Sequence, residues 1–323
     1  MWNENLVFRG ASVPGMIDFE GQVVIVTGAG RGLGRLYAME FARRGASVVV
    51  NDVGSTMHGE GSDRSVAEHV AEEIERAGGV AVASHDSVAD PDGGEAIVRT
   101  AISRFGRLDA VVSNAGIFQT VEFEKLAVDD WRRMLCVHLD GGFHVSQPAF
   151  RVMKSQGYGR FVFIASSAGL FGQPLASHYA AAKAGIVGLT NVIAVEGAPH
   201  GVLANSVLPF GTSRMVTETV GEQVASQSAF LRALEPERVV PIVVFLASRA
   251  CTFTHRNYSA GAGRYARVFI GLGKGWLAEP GSEPTAEDIA AHLAEVSATE
   301  PFSVPSSIVD EVLELCARRG ITP

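Results

Sequence analysis

The chain has 323 residues, 47% of them hydrophobic, which suffices to bury a substantial core in one large α/β domain or two small ones. A formal net charge of -8 argues against a nucleic-acid-binding surface. Three cysteines without a CxxC pair indicate a reducing, cytoplasmic setting, and the apolar runs fall short of the ~18 residues that cross a bilayer. We therefore expect no membrane segment and no secretion signal.

Residues 1–15 are polar and irregular, and we treat them as an N-terminal lead or tag remnant. An apolar strand over 22–26 then runs into the turn Thr27-Gly28-Ala29-Gly30-Arg31-Gly32-Leu33-Gly34, and a helix follows. Backbone N–H groups and a helix N-terminus in this context can receive a pyrophosphate. The spacing is T-G-x-x-x-G-x-G, because Leu33 stands where G-x-G-x-x-G would have its third glycine. The turn predicts a dinucleotide site formed by Gly28, Gly30, Arg31, Gly32, Leu33 and Gly34.

An acid follows the second predicted strand, since Ser47 to Val50 is succeeded by Asn51 and Asp52, eighteen residues after Gly34. A carboxylate at this distance can accept hydrogen bonds from an adenosine ribose and would repel a 2′-phosphate. A cap of a helix or turn is the alternative role for Asp52. Arg31 would instead favour NADP, because a basic residue in the turn could pair with the extra phosphate of that cofactor. The position of Asp52 favours NAD over NADP.

The loop over 53–63 is longer than the two to six residues usual between a strand and a helix, which suggests a role at a ligand or an interface. The third strand, Val80 to Ser84, leads to Asp86 and Ser87. Asp86 is a candidate for the adenine edge, or alternatively a cap of the helix that begins at Pro91. Asn114, Ala115 and Gly116 end the fourth strand, where small residues let the backbone approach a flat cofactor.

The alternation of strands and helices predicts an α/β fold with a parallel sheet and ligands at the strand carboxyl ends. A long helical region over 128–154 contains Gly141 and Gly142, for which close packing or a local kink is the expected reason. His138, in the same region, could be an ordinary partly buried histidine.

A second cluster of reactive side chains follows the strand over 161–165. Ser166 is expected at its carboxyl end, and Tyr179 and Lys183 lie four apart on the next helix, about one turn from each other. A cation held near a phenol lowers its pKa and makes proton exchange with an alcohol or ketone feasible. A Tyr and a Lys at this spacing are also commonplace on helices.

The remaining chain is predicted to hold a strand over 203–208 that ends in Pro209, Gly211 and Thr212. Beyond it we expect a mobile flap over 216–234, a helix over 236–248 and a last strand near 267–270. Two amphipathic helices, over 285–297 and 307–318, complete the chain. We thus divide it into the lead 1–15, a main domain 16–275 and a helical C-terminal extension 276–323.

The glycine turn, Asn114-Ala115-Gly116, Ser166 and Tyr179-x-x-x-Lys183, in this order, resemble the short-chain dehydrogenase/reductase family. The resemblance implies a single doubly wound, Rossmann-type domain. Within the family, the chain is similar to the (3R)-hydroxyacyl-CoA dehydrogenase units of peroxisomal multifunctional enzymes type 2 and their bacterial relatives. Features that carry this narrower likeness include the long loop after Asp52, Val137-His138-Leu139 and Ser213-Arg214-Met215.

The resemblance implies a role for each matching residue. Tyr179 would be the general acid-base, Lys183 would lower its pKa and hold the nicotinamide ribose, and Ser166 would bind the substrate oxygen. Thr27 would brace the loops. His138 stands where most members have a catalytic Asn. The cofactor residues would be Gly28, Gly30, Arg31, Gly32, Leu33, Gly34, Asp52, Asp86, Ser87, Asn114, Ala115, Gly116, Tyr179, Lys183, Pro209, Gly211 and Thr212.

We therefore predict an NAD-dependent oxidoreductase that transfers a hydride between a secondary alcohol and its ketone, with a (3R)-hydroxyacyl-CoA as the leading substrate. One alternative is an NAD(P)-dependent reductase of steroid, simple carbonyl or 3-oxoacyl substrates without CoA. Another is a catalytically silent dinucleotide sensor or scaffold. The family implies a homodimer or homotetramer, and we expect no metal site and no nucleic-acid partner.

Overall fold

The computed structural model describes residues 15–211, 228, 231 and 233–322 of the chain. The chain divides into two compact units, the first ending at Arg267 and the second beginning at Val268. The sequence placed this boundary about eight residues later, at 275. Most of the predicted flap, most of the lead, Thr212 and the Ser213-Arg214-Met215 motif lie outside the described residues.

A central sheet in the order β3-β2-β1-β4-β5-β6-β7-β8 organises the first unit. Its elements are β1 (Val23–Thr27), α1 (Gly32–Arg43), β2 (Ser47–Asn51), α2 (Ser65–Arg76), β3 (Val80–Ser84), α3 (Pro91–Phe105), β4 (Ala110–Ser113), α4 (Val128–Leu135), α5 (Gly141–Gln156), β5 (Gly159–Ile164), α6 (Ser167–Phe171), α7 (Ser177–Gly197), β6 (Val202–Phe210), α8 (Val240–Ala247), β7 (Arg256–Gly261) and β8 (Arg264–Val268).

The first seven strands are parallel, so their carboxyl ends share one edge of the sheet. The central strands read as continuous apolar runs because helices cover both faces, and every residue of β1 and β5 is buried. Chain order reverses between β1 and β4, and a crevice opens at such a switch point. The doubly wound α/β fold predicted from the sequence is confirmed.

The predicted long helix over 128–154 is interrupted. A π-helical turn, Cys136–Asp140, separates α4 from α5. Gly141 and Gly142 follow it because neighbouring side chains leave no room for a Cβ. A Cβ on Gly141 would lie 2.8 Å from Val88 Cγ2, and one on Gly142 would lie 2.8 Å from Ile186 Cδ1. Of the two expected reasons, close packing is therefore confirmed.

The end of the sheet differs from the prediction. The seventh strand, Arg256–Gly261, was not recognised, and the last strand is Arg264–Val268 rather than 267–270. β7 is hard to recognise because polar residues face its buried side. Asn257 and Ser259 are buried there, and Ser206 Oγ donates a 2.6 Å hydrogen bond to Asn257 Oδ1.

Helix α7 is long and apolar enough, with the turn that extends it to His200, to suit a membrane span by length and composition alone. Its packing indicates a core helix instead. Ala182, Lys183, Ile186, Val187 and Ala194 are buried, and the helix lies against β5 and β6.

The second unit contains a short antiparallel pair, Leu272–Gly273 with Phe302–Ser303. Phe269 stacks on Phe302 with ring centroids 5.6 Å apart, and Trp276 stacks on His292 at 4.2 Å. The two predicted helices are present, but the first is divided into Ala286–Ala291 and Leu293–Val296, and the second is Ile308–Arg319.

Candidate active site

A cleft of about 700 Å³ opens at the carboxyl ends of the central strands. Its lining includes most of the residues assigned from the sequence to a dinucleotide, namely Gly28, Arg31, Gly32, Leu33, Gly34, Asp52, Asp86, Ser87, Asn114, Ala115 and Gly116. The residues come from the ends of β1, β2, β3 and β4, which the parallel sheet brings to one edge. The topology thus assembles a site from segments far apart in the sequence.

The glycines of the first turn are required by close backbone contacts. A Cβ on Gly34 would lie 2.0 Å from the Gly28 carbonyl oxygen, and one on Gly28 would lie 2.7 Å from Ala115 Cα. Gly32 differs, because it has a φ of +53° and a Cβ there would meet no protein atom within 4 Å. Gly32 lines the cleft, so a side chain at this position would occupy space in it. This open cradle at a helix N-terminus fits a pyrophosphate.

Asp52 is fixed by two backbone donors. Gly30 N donates a 2.9 Å hydrogen bond to Asp52 Oδ2, and Gly54 N donates a 2.7 Å hydrogen bond to Oδ1. Gly30 itself does not line the cleft; a Cβ on it would lie 2.2 Å from Val66 Cγ1. Arg31 Nη1 donates to the Ser55 carbonyl at 3.2 Å. The carboxylate therefore has a fixed place in the cleft wall, and Arg31 is bonded to the long loop.

Thr27 braces the first and fourth strand ends, as the family resemblance implied. Its Oγ1 accepts hydrogen bonds of 3.0 Å from the backbone N–H groups of both Asn114 and Ala115. In return, Asn114 Nδ2 donates to the Thr27 and Gly28 carbonyls at 2.9 and 3.1 Å. These bonds fix the cleft floor beneath the glycine turn.

Asp86 does not cap the helix after it, so the alternative reading of this residue is wrong. The cap of α3 is Asp90, whose side chain accepts from Asp92 N. Asp86 instead lines the cleft with Ser87, and its Oδ2 accepts a 3.1 Å hydrogen bond from Ser84 Oγ. Asn51, which the sequence did not single out, donates to the Asp86 carbonyl at 2.9 Å.

Several cleft residues were not identified from the sequence. The long loop supplies Ser55, Thr56, Met57, Gly59, Gly61 and Ser62, and other segments supply Val88, Ala89, Ile117, Arg133, Cys136 and Val137. The length of the loop was the one available signal, and its position at the cleft agrees with the role suggested for it. Val137 belongs to the Val137-His138-Leu139 feature noted above but was not assigned to the cleft. The others lie on irregular connections, on α4 or in the π turn, where no motif marks them.

Pro209 and Gly211, two further predicted cofactor residues, lie at the carboxyl end of β6 and just beyond it, and neither lines the cleft. A Cβ on Gly211 would lie 3.2 Å from Pro236 Cα and 3.7 Å from Leu33 Cδ2, so Gly211 is next to a cleft residue. Pro209 pairs in register with Ala260 of β7.

Ser166, Tyr179 and Lys183 are brought together at the same sheet edge. Ser166 caps α6, where its Oγ accepts a 3.1 Å hydrogen bond from Ala168 N. It also lies close enough to the Tyr179 hydroxyl to lower the pKa of that phenol. Lys183 Nζ lies 5.7 Å from the centroid of the Tyr179 ring and donates a 2.6 Å hydrogen bond to the Ile164 carbonyl at the end of β5. A hydroxyl, a phenol and an amine thus share one site.

The pKa of Tyr179 differs from the one that the sequence led us to expect. Burial raises the pKa of Tyr179, and the Ser166 side chain partly offsets the rise. Burial also lowers the pKa of Lys183 from its ordinary 10.5 to about 7. The expected lowering of the Tyr179 pKa by Lys183 is therefore not seen in the protein alone, because burial of both groups dominates.

His138 joins this group to the cleft wall. It is buried, and its ring meets the Tyr179 ring edge-on with centroids 5.3 Å apart. Its Nε2 lies 2.8 Å from the Ile117 carbonyl oxygen and 3.2 Å from Ile117 N. Burial, followed by the charge of Lys183, lowers the pKa of His138 well below its usual 6.5. The imidazole is therefore neutral at physiological pH.

Phe118 is a further site residue that the sequence did not reveal. Its ring meets the Tyr179 ring edge-on, with centroids 5.0 Å apart, and its backbone N donates a 3.0 Å hydrogen bond to the Met57 carbonyl. The long loop that lines the cleft is therefore linked through Phe118 to the phenol. Among the described residues, no group of three His, Cys, Asp or Glu side chains could hold a metal ion.

Known proteins are similar to this chain in sequence and in architecture. Residues 22–225 match the family model of the short chain dehydrogenases. A short-chain type dehydrogenase/reductase of Mycobacterium tuberculosis is 41% identical over 285 residues, which cover 88% of this chain and 96% of that protein.

Two multifunctional enzymes are also similar. Peroxisomal multifunctional enzyme type 2 of Mus musculus is 38% identical over 95% of this chain, which spans only 42% of the mouse protein. The structure of the full-length enzyme of the same name from Drosophila melanogaster aligns with 94% of this chain and 50% of the fly chain, at a TM-score of 0.76 and 31% identity.

Proposed function

This chain belongs to the short-chain dehydrogenase/reductase family, and on that premise we propose that it oxidises (3R)-hydroxyacyl-CoA thioesters, or reduces the corresponding 3-ketoacyl-CoA, with NAD. The family makes the protein an oxidoreductase that uses a nicotinamide dinucleotide, and the cleft described above has the residues to hold one. When bound, the dinucleotide supplies a hydride acceptor or donor. The remaining chemistry is that of the protein's own side chains.

Those side chains have separate tasks. The Tyr179 hydroxyl exchanges a proton with the alcohol or ketone oxygen, and the Ser166 hydroxyl, which influences the pKa of Tyr179, orients that oxygen. Lys183, with a pKa near 7, can hold or release a proton at physiological pH. Phe118 packs edge-on against the phenol and keeps its ring in place.

Asp52 supports the choice of NAD over NADP. Its carboxylate is held in the cleft wall by Gly30 N and Gly54 N, at 2.9 and 2.7 Å. A fixed negative charge at the end of β2 favours ribose hydroxyls and repels a 2′-phosphate. Arg31, a basic side chain that would favour the phosphate, instead donates a hydrogen bond to the Ser55 carbonyl.

The observation that carries the choice of substrate is the extent of the likeness to the multifunctional enzymes. It covers 95% of this chain in the mouse protein, well past residue 225, where the family model ends. The match therefore includes the second unit as well as the dinucleotide-binding part. That this chain shares an activity with these longer relatives is our proposal.

A panel of substrates tests the proposal. Purified protein is assayed with (3R)- and (3S)-hydroxyacyl-CoA thioesters, the matching free hydroxy acids and simple secondary alcohols, each with NAD and with NADP. We expect the (3R) thioester with NAD to have the highest kcat/KM. Equal rates with and without CoA would support a simple alcohol, steroid or 3-oxoacyl enzyme instead. NADH binding without turnover of any substrate would support a silent dinucleotide sensor.

We also propose that the enzyme is a homodimer or homotetramer that associates through α5 and α7. Phe143, Val192 and Val195 are exposed apolar side chains on these two helices, and a second copy of the chain would bury them. Light scattering after size-exclusion chromatography gives the mass of the assembly in solution. A monomer at micromolar concentration would contradict the proposal.

A further inference from the structure

Leu175 has a backbone conformation that leucine rarely adopts. Its φ is +64°, in the left-handed region, and among the described residues only His255 and Ala262 also have a positive φ without being glycine. Glycine takes this conformation without steric cost, whereas the Cβ of any larger residue crowds the neighbouring backbone. Leucine at this position therefore costs free energy that glycine would not.

The Leu175 side chain does not recover that cost by packing in the core, because it is 50% exposed. The carbonyl oxygen of Leu175 accepts a 2.8 Å hydrogen bond from Val121 N, and a glycine would make the same bond. An exposed leucine is ordinary by itself, but one that also strains the backbone is not. Strain of this kind concentrates at functional sites, so the side chain itself is expected to have a use.

Leu175 lies on the connection between the two hydroxyl residues assigned to the substrate oxygen. This connection runs from Ser166 to Tyr179, and Leu175 is four residues before the phenol. Helix α6, within the connection, packs closely on α7, since a Cβ on Gly169 would lie 2.6 Å from Ala184 N. The connection is thus held against the helix that carries the phenol, and a substrate bound to both hydroxyls must lie beside it.

The same connection is free of the dinucleotide. No residue from Ser166 to Tyr179 lines the cleft that the glycine turn and Asp52 help to form. The large apolar side chains that it exposes are Phe171, which is 70% exposed, and Leu175. Hydrocarbon is the ligand chemistry that such side chains favour, in contrast to the phosphates and amides of CoA. The part of the substrate that suits them is the carbon chain attached to the reacting carbon.

We propose that Leu175 is a specificity-determining residue whose side chain contacts the carbon chain of the substrate beside Ser166 and Tyr179. A glycine would relieve the backbone but would remove this contact, which accounts for a leucine at a position that favours glycine. The inference rests on the proposed function and deepens it, because it assigns a residue to the discrimination between short and long chains.

The first test compares Leu175→Ala, Leu175→Gly and Leu175→Met with wild type, using (3R)-hydroxybutyryl-CoA and (3R)-hydroxydodecanoyl-CoA with NAD. Wild type should favour the longer thioester. The ratio of kcat/KM for the long over the short thioester should fall about 10-fold in the alanine and glycine variants, because apolar contact with the chain is lost. Leu175→Met should keep the ratio within about twofold, since methionine has a similar volume. In all three variants kcat with the short thioester and NADH affinity should stay within about twofold.

Val80 provides the matched control for loss of an exposed aliphatic side chain. It is 48% exposed and is the first residue of β3, at the amino end of a strand whose carboxyl end faces the site. Val80→Ala should leave the ratio for long over short thioester unchanged.

The second test measures the strain directly. Leu175→Gly and Leu175→Ala both lack the side chain beyond Cβ, so their difference reports the left-handed backbone alone. We expect the glycine variant to have a Tm about 2 to 4 °C higher than the alanine variant, the reverse of the usual order. At Val80, in a regular strand, the alanine variant should instead have the higher Tm.

Three outcomes would overturn the assignment of Leu175. One is an unchanged ratio in the alanine and glycine variants, and another is an equal loss of kcat/KM with both thioesters, which would show that Leu175 only supports the fold. The third is a change of mass in light scattering, which would show that Leu175 packs against a second copy of the chain. If the proposed function fails, wild type itself turns over neither thioester. A short and a long secondary alcohol then measure the same ratio.

Discussion

Lys183 Nζ donates a 2.6 Å hydrogen bond to the carbonyl oxygen of Ile164, the last residue of β5. The bond joins the helix that carries the phenol to the strand that ends just before Ser166. It fixes the amine at the sheet edge, and burial there lowers the pKa of Lys183 to about 7. The amine of Lys183 thus titrates near physiological pH, and its lowered pKa has a consequence for stability.

The pH dependence of stability should report this buried amine. In the unfolded chain Lys183 keeps its ordinary pKa of 10.5, whereas the folded value is about 7. Between pH 7 and 10.5 the unfolded state binds the proton and the folded state does not, so the free energy of unfolding from this group rises with pH. Below pH 7 both states are protonated, and the cost of burying the charge is fully present.

Lys183→Met should therefore lack part of the rise in Tm between pH 7 and 9 that wild type shows. Thermal unfolding of both proteins without dinucleotide, followed by circular dichroism, measures the difference. Lys154→Met, an exposed lysine at the end of α5, is the control. Parallel Tm curves for wild type and Lys183→Met would contradict a lowered pKa.

Tyr179→Phe should abolish most turnover while preserving the site. The change removes the hydroxyl but keeps the ring that contacts Phe118 and His138 at 5.0 and 5.3 Å. We expect kcat to fall by about 10² to 10⁴, the range for loss of a general acid-base. NADH binding, measured by fluorescence, should stay within about twofold. Tyr265→Phe, whose hydroxyl donates to the Arg238 carbonyl at 2.7 Å, should leave kcat unchanged. Wild-type turnover by Tyr179→Phe would exclude the phenol from the chemistry.

Asp52→Asn should shift cofactor preference toward NADP. The substitution removes the negative charge held between Gly30 N and Gly54 N and leaves one oxygen as an acceptor. We expect the ratio of kcat/KM for NAD over NADP to fall by about 10-fold or more, a change of about 1.4 kcal/mol. Steady-state kinetics with both cofactors measures it. Asp92→Asn, on exposed α3 surface, controls for the loss of one charge. An unchanged ratio would remove Asp52 from ribose recognition.

Alanine at two glycines of the turn should separate folding from binding. Gly32→Ala should fold with a Tm only a few degrees lower, because a side chain at φ +53° costs about 1 to 2 kcal/mol. It should bind NADH poorly, because Gly32 lines the cleft and a methyl group added there would compete with the ligand for space. Gly34→Ala should lose much more stability, because its Cβ would lie 2.0 Å from the Gly28 carbonyl.

Gly21→Ala is the matched control for Gly32→Ala. Gly21 has a φ of +68° and likewise has no atom within 4 Å of its Cβ, but it precedes β1 and does not line the cleft. It should lose a similar amount of stability and keep NADH affinity. Tm and NADH titration on all three variants provide the comparison. Full NADH affinity in Gly32→Ala would place the dinucleotide elsewhere.

The sequence predicted the site where short motifs coincide with strand ends. The glycine turn, Asp52, Asn114, Ser166, Tyr179 and Lys183 lie where parallel strands bring their carboxyl ends together. It could not predict which neighbours bury these groups, so the pKa of Tyr179 was misjudged. Phe118 and Arg133 went unrecognised because ordinary side chains gain a role only through tertiary contact. β7 was missed because its buried side carries Asn257 and Ser259, which pair with other polar groups inside the fold.

The π turn at Cys136–Asp140 places one residue more in the helical path than a regular α-helix would hold. Each residue of an α-helix advances the side-chain direction by about 100°, so deleting one codon here would rotate His138 relative to everything after it. Such a deletion would move the imidazole from the phenol or pull Gly141 from its contact with Val88. The length of this helical segment is therefore fixed at two places, His138 and Gly141. Insertions and deletions in it should be tolerated far less than substitutions.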